Sequence, residues 1–371
     1  MRVVLLMVVG ALAASACGDR APQEESGESS CPGCAIAVRD VHTIGTEDVQ
    51  GSLTGRPFQI TQDGQGRYWI DVVDAFPLLF DSAGKFLQQL GRRGEGPGEF
   101  RHLKIQSIVT GDSALVSTGF RFAVLGPDLS IGRQIDVDPR WEVNSVHVMS
   151  WPNNVLGLSS TFDQRTRISS THLVRYDLSG PTATVLDTVF SVQAESSDSE
   201  AWASSLRSVG TPGTDGVWVA NHNKYQLVQV THDGAVKDTI VRQLDWFPGG
   251  EAMRIGGPGK PTSPHMMGNW TDSKGYLWVL ASKPRTNTGD AWKDAQSGGM
   301  EVRVAALPAP YELNQTLIEV FDPVSRMVVA QHLFDGYLIG VLPNNRVASY
   351  VETEAGIPVI TVHELSLSGQ M

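Results

Sequence analysis

The chain has 371 residues, a formal net charge of −11, 41% hydrophobic residues, 38 glycines and 20 prolines. This composition is typical of many short strands joined by turns rather than of long helices. The acidic balance argues against nucleic acid as a partner, because proteins that bind it neutralise phosphates with clustered lysine and arginine.

Residues 1–16 predict an export signal that is absent from the mature protein. An apolar run over residues 3–16 follows Arg2 and is too short to span a bilayer. Small residues at 14–16 stand directly before Cys17. This arrangement resembles the lipobox of bacterial lipoproteins, although Ala14 replaces the leucine usual there. The resemblance implies that Cys17 carries a lipid.

The expected location is therefore the bacterial cell envelope, at the periplasmic side of the outer membrane or at the cell surface. The lipid anchor is the expected contact with the membrane. An ordinary signal peptide followed by an incidental cysteine is the alternative.

Residues 17–34 are predicted to form a tether that ends in a disulfide. Residues 18–30 are acidic, serine-rich and nearly free of apolar groups, so burial cannot offset the entropy lost on ordering. Cys31 and Cys34 form a C-x-x-C motif, but zinc needs a second ligand pair and thioredoxin chemistry needs a following helix. A structural disulfide is expected in an oxidising compartment, with redox activity as the alternative.

A strand, a tight polar turn and a second strand occur five times along the chain. The copies lie at residues 78–87, 124–135, 174–186, 228–240 and 319–329. Two further strands precede each copy, usually separated by Asp-Gly, Gly-Asp, Asn-Asn or Lys-Gly, which favour tight turns. Each unit is therefore predicted to be a four-stranded antiparallel meander, the blade of a β-propeller.

The fold class predicted is all-β, with one six-bladed propeller over residues 35–371. The sixth unit, after Tyr337, supplies only three strands, and residues 35–44 supply the missing one. Pairing of this N-terminal strand with the C-terminal blade would cover two exposed sheet edges. Seven blades would require a blade within residues 284–312, which instead has the composition of a loop.

Residues 91–100 (GRRGEGPGEF) resemble the blade junction of NHL-type propellers and of bacterial six-bladed propeller lipoproteins. Phosphate-binding glycine loops open a helix, whereas strand residues follow here. The run therefore indicates a tight turn between blades, with Phe100 packed between the sheets. The resemblance implies the propeller fold for nearly all of the chain after residue 35.

Cationic side chains precede or begin the first strands of five predicted blades. The first strand of each blade lines the axis of a propeller, so these residues predict a channel site for an anionic ligand. The candidates are Arg56, Arg101, His102, Lys104, His147, Arg207 and His265. Pairing with neighbouring acids is the alternative.

We therefore expect a binding protein of the cell envelope, monomeric and without a cofactor. The partners expected are an anionic small molecule, a glycan, a peptide or an envelope protein.

A metal-dependent hydrolase is the alternative, because six-bladed relatives include lactonases that hold an ion such as Ca²⁺ in the channel. Asp71, Asp74, Asn221 and Asn269 are candidate ligands, but each equally suits a turn or a strand end. The 9 histidines lack H-x-H and H-E-x-x-H spacing, and the sequence contains no G-x-S-x-G motif.

Overall fold

The structure is a computed structural model that describes most of residues 31–369. The segments outside the description are 1–30, 32, 46–52, 54, 74, 95–98, 101–102, 110–111, 119–120, 139–141, 151–152, 164–165, 167, 196–206, 250–259, 289–290, 292–307, 323 and 370–371. The predicted signal, Cys17 and residues 18–30 lie outside it. Within the described ranges, no helix is long and apolar enough to cross a membrane.

Six four-stranded antiparallel sheets follow one another along the chain and form the six blades that the sequence predicts. The first described strand is β1 (Ala35–Ile44). Blade 1 consists of β2 (Pro57–Gln62), β3 (Tyr68–Val72), β4 (Leu78–Phe80) and β5 (Phe86–Gln89). A short parallel pair follows, β6 (Arg92–Arg93) and β7 (Glu99–Phe100). Blade 2 consists of β8 (Lys104–Ile108), β9 (Ala114–Ser117), β10 (Arg121–Leu125) and β11 (Ile131–Asp136).

The other four blades repeat this order. Blade 3 consists of β12 (Glu142–Ser150), β13 (Asn154–Asp163), β14 (Ile168–Asp177) and β15 (Thr184–Glu195). Blade 4 consists of β16 (Arg207–Val209), β17 (Val217–Asn221), β18 (Gln226–Val230) and β19 (Val236–Val241). Blade 5 consists of β20 (His265–Thr271), β21 (Leu277–Pro284), β22 (Asn314–Phe321) and β23 (Val328–Phe334). Blade 6 consists of β24 (Leu338–Leu342), β25 (Arg346–Glu352), β26 (Pro358–Ser368) and β1.

The connection between β21 and β22 carries one helix, α1 (Pro310–Leu313). In the described parts of residues 285–313 there is no strand. The alternative of a seventh blade in this segment therefore finds no support in them.

Aspartate turns explain why the same hairpin forms in different blades. In blade 1, the Asp63 carboxylate accepts the indole N–H of Trp69 at 2.9 Å and backbone N–H groups of its own turn. In blade 5, Asp272 accepts the indole N–H of Trp278 at 2.9 Å in the same way. Both tryptophans are fully buried. The repeated Asp and Trp thus fix the first hairpin of a blade and fill its core.

The ring closes through β1. Its register with β26 runs from Ala35 opposite Ser368 to Ile44 opposite Ile360. Ile36 and Ile44 are buried in the blade cores. The N-terminal strand therefore lies beside the C-terminal blade, as the sequence predicts, and covers an edge that would otherwise be exposed.

The inner strands of neighbouring blades approach closely at two glycines. A Cβ atom built on Gly340 of β24 would lie 2.6 Å from the carbonyl oxygen of Ile60 on β2. On Gly210, just after β16, it would lie 1.9 Å from the side-chain oxygen of Asn269 on β20. Glycine at these two positions therefore permits neighbouring inner strands to meet.

The junction between blades 1 and 2 contains the parallel pair of β6 and β7, and residues 95–98 of the predicted turn lie outside the described residues. Phe100 packs against the core that contains Leu90 and Leu103. Arg92 pairs with Glu99 at 3.0 Å on the surface. The described residues of the glycine-rich run therefore connect two sheets, and strand residues follow them at β8.

Cys31 and Cys34 are joined by a disulfide immediately before β1. Cys31 is buried in the apolar cluster shared by blades 5 and 6, which includes Ile36 and Leu365. In this position the disulfide secures the start of the strand that closes the ring.

Candidate functional site

All six inner strands begin at one end of the channel. Each blade is a meander of four antiparallel strands, and an even number of strands returns the chain to the same end. We call this end the top face. Arg56 directly precedes β2 at this end, and Lys104 and His265 begin β8 and β20, whereas His147 lies in the middle of β12.

Three of the seven predicted channel cations have described side chains: Arg56, Lys104 and His265. Arg101 and His102 lie outside the described residues. His147 and Arg207 are placed on the inner strands β12 and β16, and only their backbones are described.

An exposed phenylalanine lies beside Lys104. Phe58 is 45% exposed although it belongs to an inner strand. The register between β2 and β3 shifts between Pro57 and Gln59, so Phe58 lies in a bulge. The ammonium of Lys104 lies 6.0 Å from the centroid of the Phe58 ring. A cation beside an accessible ring is an arrangement that attracts both negative and aromatic groups.

Arg56 is held by blade 6. Its Nε donates to the Glu352 carboxylate at 2.9 Å, and both side chains are about one fifth exposed. The backbone N–H of Glu352 donates to the Tyr311 hydroxyl at 3.2 Å. Arg56 is thus both a neighbour of Phe58 and a link between blades 1 and 6.

Asp71 lies at the boundary of blades 1 and 2. Its carboxylate is 2% exposed and accepts the backbone N–H of Ile105 at 3.2 and 3.3 Å. Burial raises the pKa of Asp71 to about 7, against the smaller opposing effects of the Ile105 N–H and the Lys104 charge. We call Arg56, Phe58, Asp71, Lys104 and Glu352 the Phe58 patch.

His265 lies in a second group on the top face, built from blades 4, 5 and 6. Its Nδ1 is 3.3 Å from the carbonyl oxygen of Ser263, and its Nε2 is 3.3 Å from the Tyr337 hydroxyl. The rings of His265 and His222 stack with centroids 6.0 Å apart. Burial lowers the pKa of His265, so the ring is uncharged near neutral pH. It therefore contributes hydrogen bonds and ring surface to the top face, and not the positive charge expected from the sequence.

A serine, a histidine and an aspartate line up across blade 6. Ser349 Oγ is 2.8 Å from His363 Nε2, and His363 Nδ1 is 2.7 Å from the Asp40 carboxylate. These distances match a nucleophile, its base and the acid that orients it. However, Ser349 is 7% exposed, and the His363 ring is packed edge-on against Phe334 of blade 5.

Blade 3 repeats the same arrangement with a different outer residue. His172 lies between Thr161 at 3.0 Å and Ser191 at 2.7 Å. In both blades the histidine is on the third strand, opposite the outer partner and diagonal to the hydroxyl residue. The same arrangement occurs at the same register in blades 3 and 6, and in blade 3 a serine replaces the acid. Because the acid is not required, the arrangement is best explained as a structural link between strands.

Three of the four metal candidates belong to the described residues. Asp71, Asn221 and Asn269 belong to blades 1, 4 and 5, and Asp74 lies outside the described residues. In the part of the chain that the structure describes, no group of three or more His, Cys, Asp or Glu side chains is placed to hold a metal ion.

Sequence reasoning identifies Lys104 and Arg56 but misses Phe58 and Glu352. Phe58 looks like an ordinary core residue, because the bulge that exposes it leaves no signal in the sequence. Glu352 is the last residue of β25 and lies 296 residues from Arg56 in the sequence, so only closure of the ring brings the two together.

Comparison with known proteins agrees with this architecture. No family model matches the chain, and no curated protein is detectably similar in sequence. A crystal structure described as a "Putative exported protein" from Bacteroides fragilis is similar, with a TM-score of 0.54, 10% identity and coverage of 92% of this chain and 98% of that one. The WD40 domain of Neurospora crassa Pan2 has a TM-score of 0.45 and 8% identity, with coverage of 88% and 94%. The first of these similarities supports the fold alone: the chain is a six-bladed β-propeller.

Proposed function

We propose that this propeller binds a ligand with a negatively charged group and an apolar part at the Phe58 patch. The observation that carries the proposal is the ammonium of Lys104 beside the exposed ring of Phe58 on the top face. In a chain with a net charge of −11, a local cation beside an accessible ring selects for ligands that carry both a negative charge and an apolar group. Carboxylates of small organic acids, sugar acids and peptides have the matching charge.

The expected energies are sufficient for specific but modest binding. Complete burial of a phenylalanine side chain contributes about 1.5 to 3 kcal/mol, and covering half of one contributes about 1 kcal/mol. A carboxylate about 4 Å from an ammonium gains about 4 kcal/mol at an effective dielectric constant near 20, before desolvation is subtracted. The charge is therefore expected to determine which ligands bind.

Replacing Lys104 with glutamine should weaken the binding of phenylacetate by about tenfold, because the main charge interaction is lost. The neutral phenylacetamide should bind the parent protein weakly and should be unaffected by the replacement. Ligand-observed NMR titrations of both probes measure these affinities. Lys274→Gln is the matched control, because Lys274 is exposed in a turn between β20 and β21. Equal binding of phenylacetate and phenylacetamide to the parent protein would contradict the proposal.

We further propose that the protein is exported and held at the cell envelope by a lipid on Cys17. The sequence of residues 1–17 supports this location, and the description of the Bacteroides fragilis protein agrees with export. Cys17→Ser should release the protein from the membrane fraction, because a lipid anchor depends on this thiol. Fractionation followed by immunoblotting measures the effect, with Cys34→Ser as the control that retains Cys17. Equal membrane retention of Cys17→Ser and the parent would show that the anchor lies elsewhere.

A further inference from the structure

We infer that the top face carries a second site, which binds an uncharged, hydroxyl-rich ligand of the sugar class between blades 4, 5 and 6. The site consists of His222, His265, Ser282 and Tyr337, and we call it the His265 group. No residue of the Phe58 patch belongs to it, so the inference goes beyond the proposed function and does not depend on it.

Three half-buried rings from three neighbouring blades meet at this group. His265, the first residue of β20, lies next to both of the others. Its ring centroid is 6.0 Å from that of His222, which follows β17, and 6.3 Å from that of Tyr337, which precedes β24. Such rings offer apolar faces on which the C–H side of a sugar ring can pack, while their polar atoms can hydrogen-bond at the edge.

The hydrogen bonds of His265 fix which atoms can receive a ligand. Its Nδ1 lies 3.3 Å from the carbonyl oxygen of Ser263, and because a carbonyl oxygen only accepts, Nδ1 carries the ring proton. Nε2 then accepts from the Tyr337 hydroxyl at 3.3 Å. The Tyr337 oxygen has thus donated its proton and remains an acceptor, which fits a ligand that donates a hydroxyl proton.

The His265–Tyr337 pair is uncharged near neutral pH. Burial lowers the pKa of His265 and raises the pKa of Tyr337 to about 12. Among the described residues, no charged side chain contributes to either shift. An uncharged ligand therefore fits this pair better than an ion, because a buried charge is costly without a counter-charge.

A buried hydroxyl next to His265 points to the same kind of ligand. Ser282 is the register partner of His265, so the two side chains share one face of blade 5. Ser282 is fully buried, and its Oγ has no hydrogen-bond partner among the described residues. Thr316, the next residue across the sheet, donates instead to the Gly336 carbonyl at 2.9 Å. Unsatisfied buried hydroxyls are rare, and a bound hydroxyl would satisfy Ser282 directly or through a bridging water.

The test measures the binding of three uncharged sugars, the methyl α-pyranosides of glucose, galactose and mannose, by ligand-observed NMR. At least one of them should bind the parent protein. Tyr337→Phe keeps the ring but removes the acceptor, so the Kd of that sugar should rise about five- to tenfold. Tyr276→Phe is the matched control, because Tyr276 precedes β21 at the opposite end of blade 5, and it should bind the sugar as the parent does. Lys104→Gln should also leave sugar binding unchanged.

The imidazole nitrogen NMR signals of the parent give a second readout that needs no variant. The His265 signals should shift when the sugar is added, whereas those of His363, which is bonded to Ser349 and Asp40 within blade 6, should not.

Failure of all three sugars to bind the parent would overturn the inference and leave the proposed function intact. A parent-like Kd in Tyr337→Phe would overturn it as well, and so would sugar binding that leaves the His265 signals in place. Loss of phenylacetate binding in Lys104→Gln, with sugar binding retained, would show that the two sites are separate.

Discussion

Replacement of Glu319 by alanine is expected to lower the free energy of unfolding by about 3 to 5 kcal/mol. Glu319 of blade 5 pairs with Arg242, which follows β19 of blade 4, and their side chains are 1% and 2% exposed. The Tyr225 hydroxyl donates to the same carboxylate. Burial, followed by the Glu319 charge, raises the pKa of Tyr225, so the hydroxyl remains a donor. Loss of the carboxylate would leave a buried guanidinium without its counter-charge.

Denaturant unfolding measures this loss, and an exposed ion pair supplies the control. Arg39 and Glu364 also pair, but their side chains are 69% and 44% exposed, so Glu364→Ala should cost less than about 1 kcal/mol. The double variant Arg242→Met, Glu319→Leu should regain part of the stability, because it removes both buried charges. Similar losses for Glu319→Ala and Glu364→Ala would mean that the buried pair does not hold blades 4 and 5 together.

Deletion of residues 35–44 is expected to destabilise the entire propeller by at least about 3 kcal/mol. The deletion removes β1 with its buried Ile36 and Ile44, and each such side chain contributes about 1.5 to 3 kcal/mol. It also exposes the edge of β26, which would favour association of strand edges. A lower melting temperature, accompanied by aggregation in light scattering, is the expected result.

Deletion of residues 18–30 is the matched control, because the sequence predicts a tether that contributes nothing to the core. Its melting temperature should equal that of the parent. If removal of residues 35–44 left the melting temperature equally unchanged, the pairing of β1 with β26 would contribute little to stability, and closure of the ring would have to depend on the inner strands.

The fold could be predicted because its signals are local. Each blade contains turn residues at short spacing between alternating strands, and the strand that the sixth unit lacks is supplied by the other end of the chain. The length of the strands was harder to predict. The local pattern favours a strand over residues 145–150, whereas β12 begins three residues earlier at Glu142, because tertiary pairing extends a strand beyond its local pattern.

The candidate site could be predicted only in part, because its members meet through the register between blades. Lys104 stands out as a cation at the start of a strand, but the sequence does not show which ring or acid it faces. Glu319 looks like an ordinary exposed strand residue, and its partners Arg242 and Tyr225 are 77 and 94 residues away. Such contacts depend on how complete blades pack, which no local pattern reports.

The pairing of β1 with β26 brings the two ends of the propeller side by side. Ser368 Oγ donates to the carbonyl oxygen of Ala35 at 3.2 Å, so a short linker could join the residues around them. A circularly permuted chain, joined there and opened between two blades, would contain the same six sheets in the same cyclic order. In this architecture the order of the blades around the ring does not depend on where the chain starts and ends. A second domain could therefore be fused at the connection between any two blades.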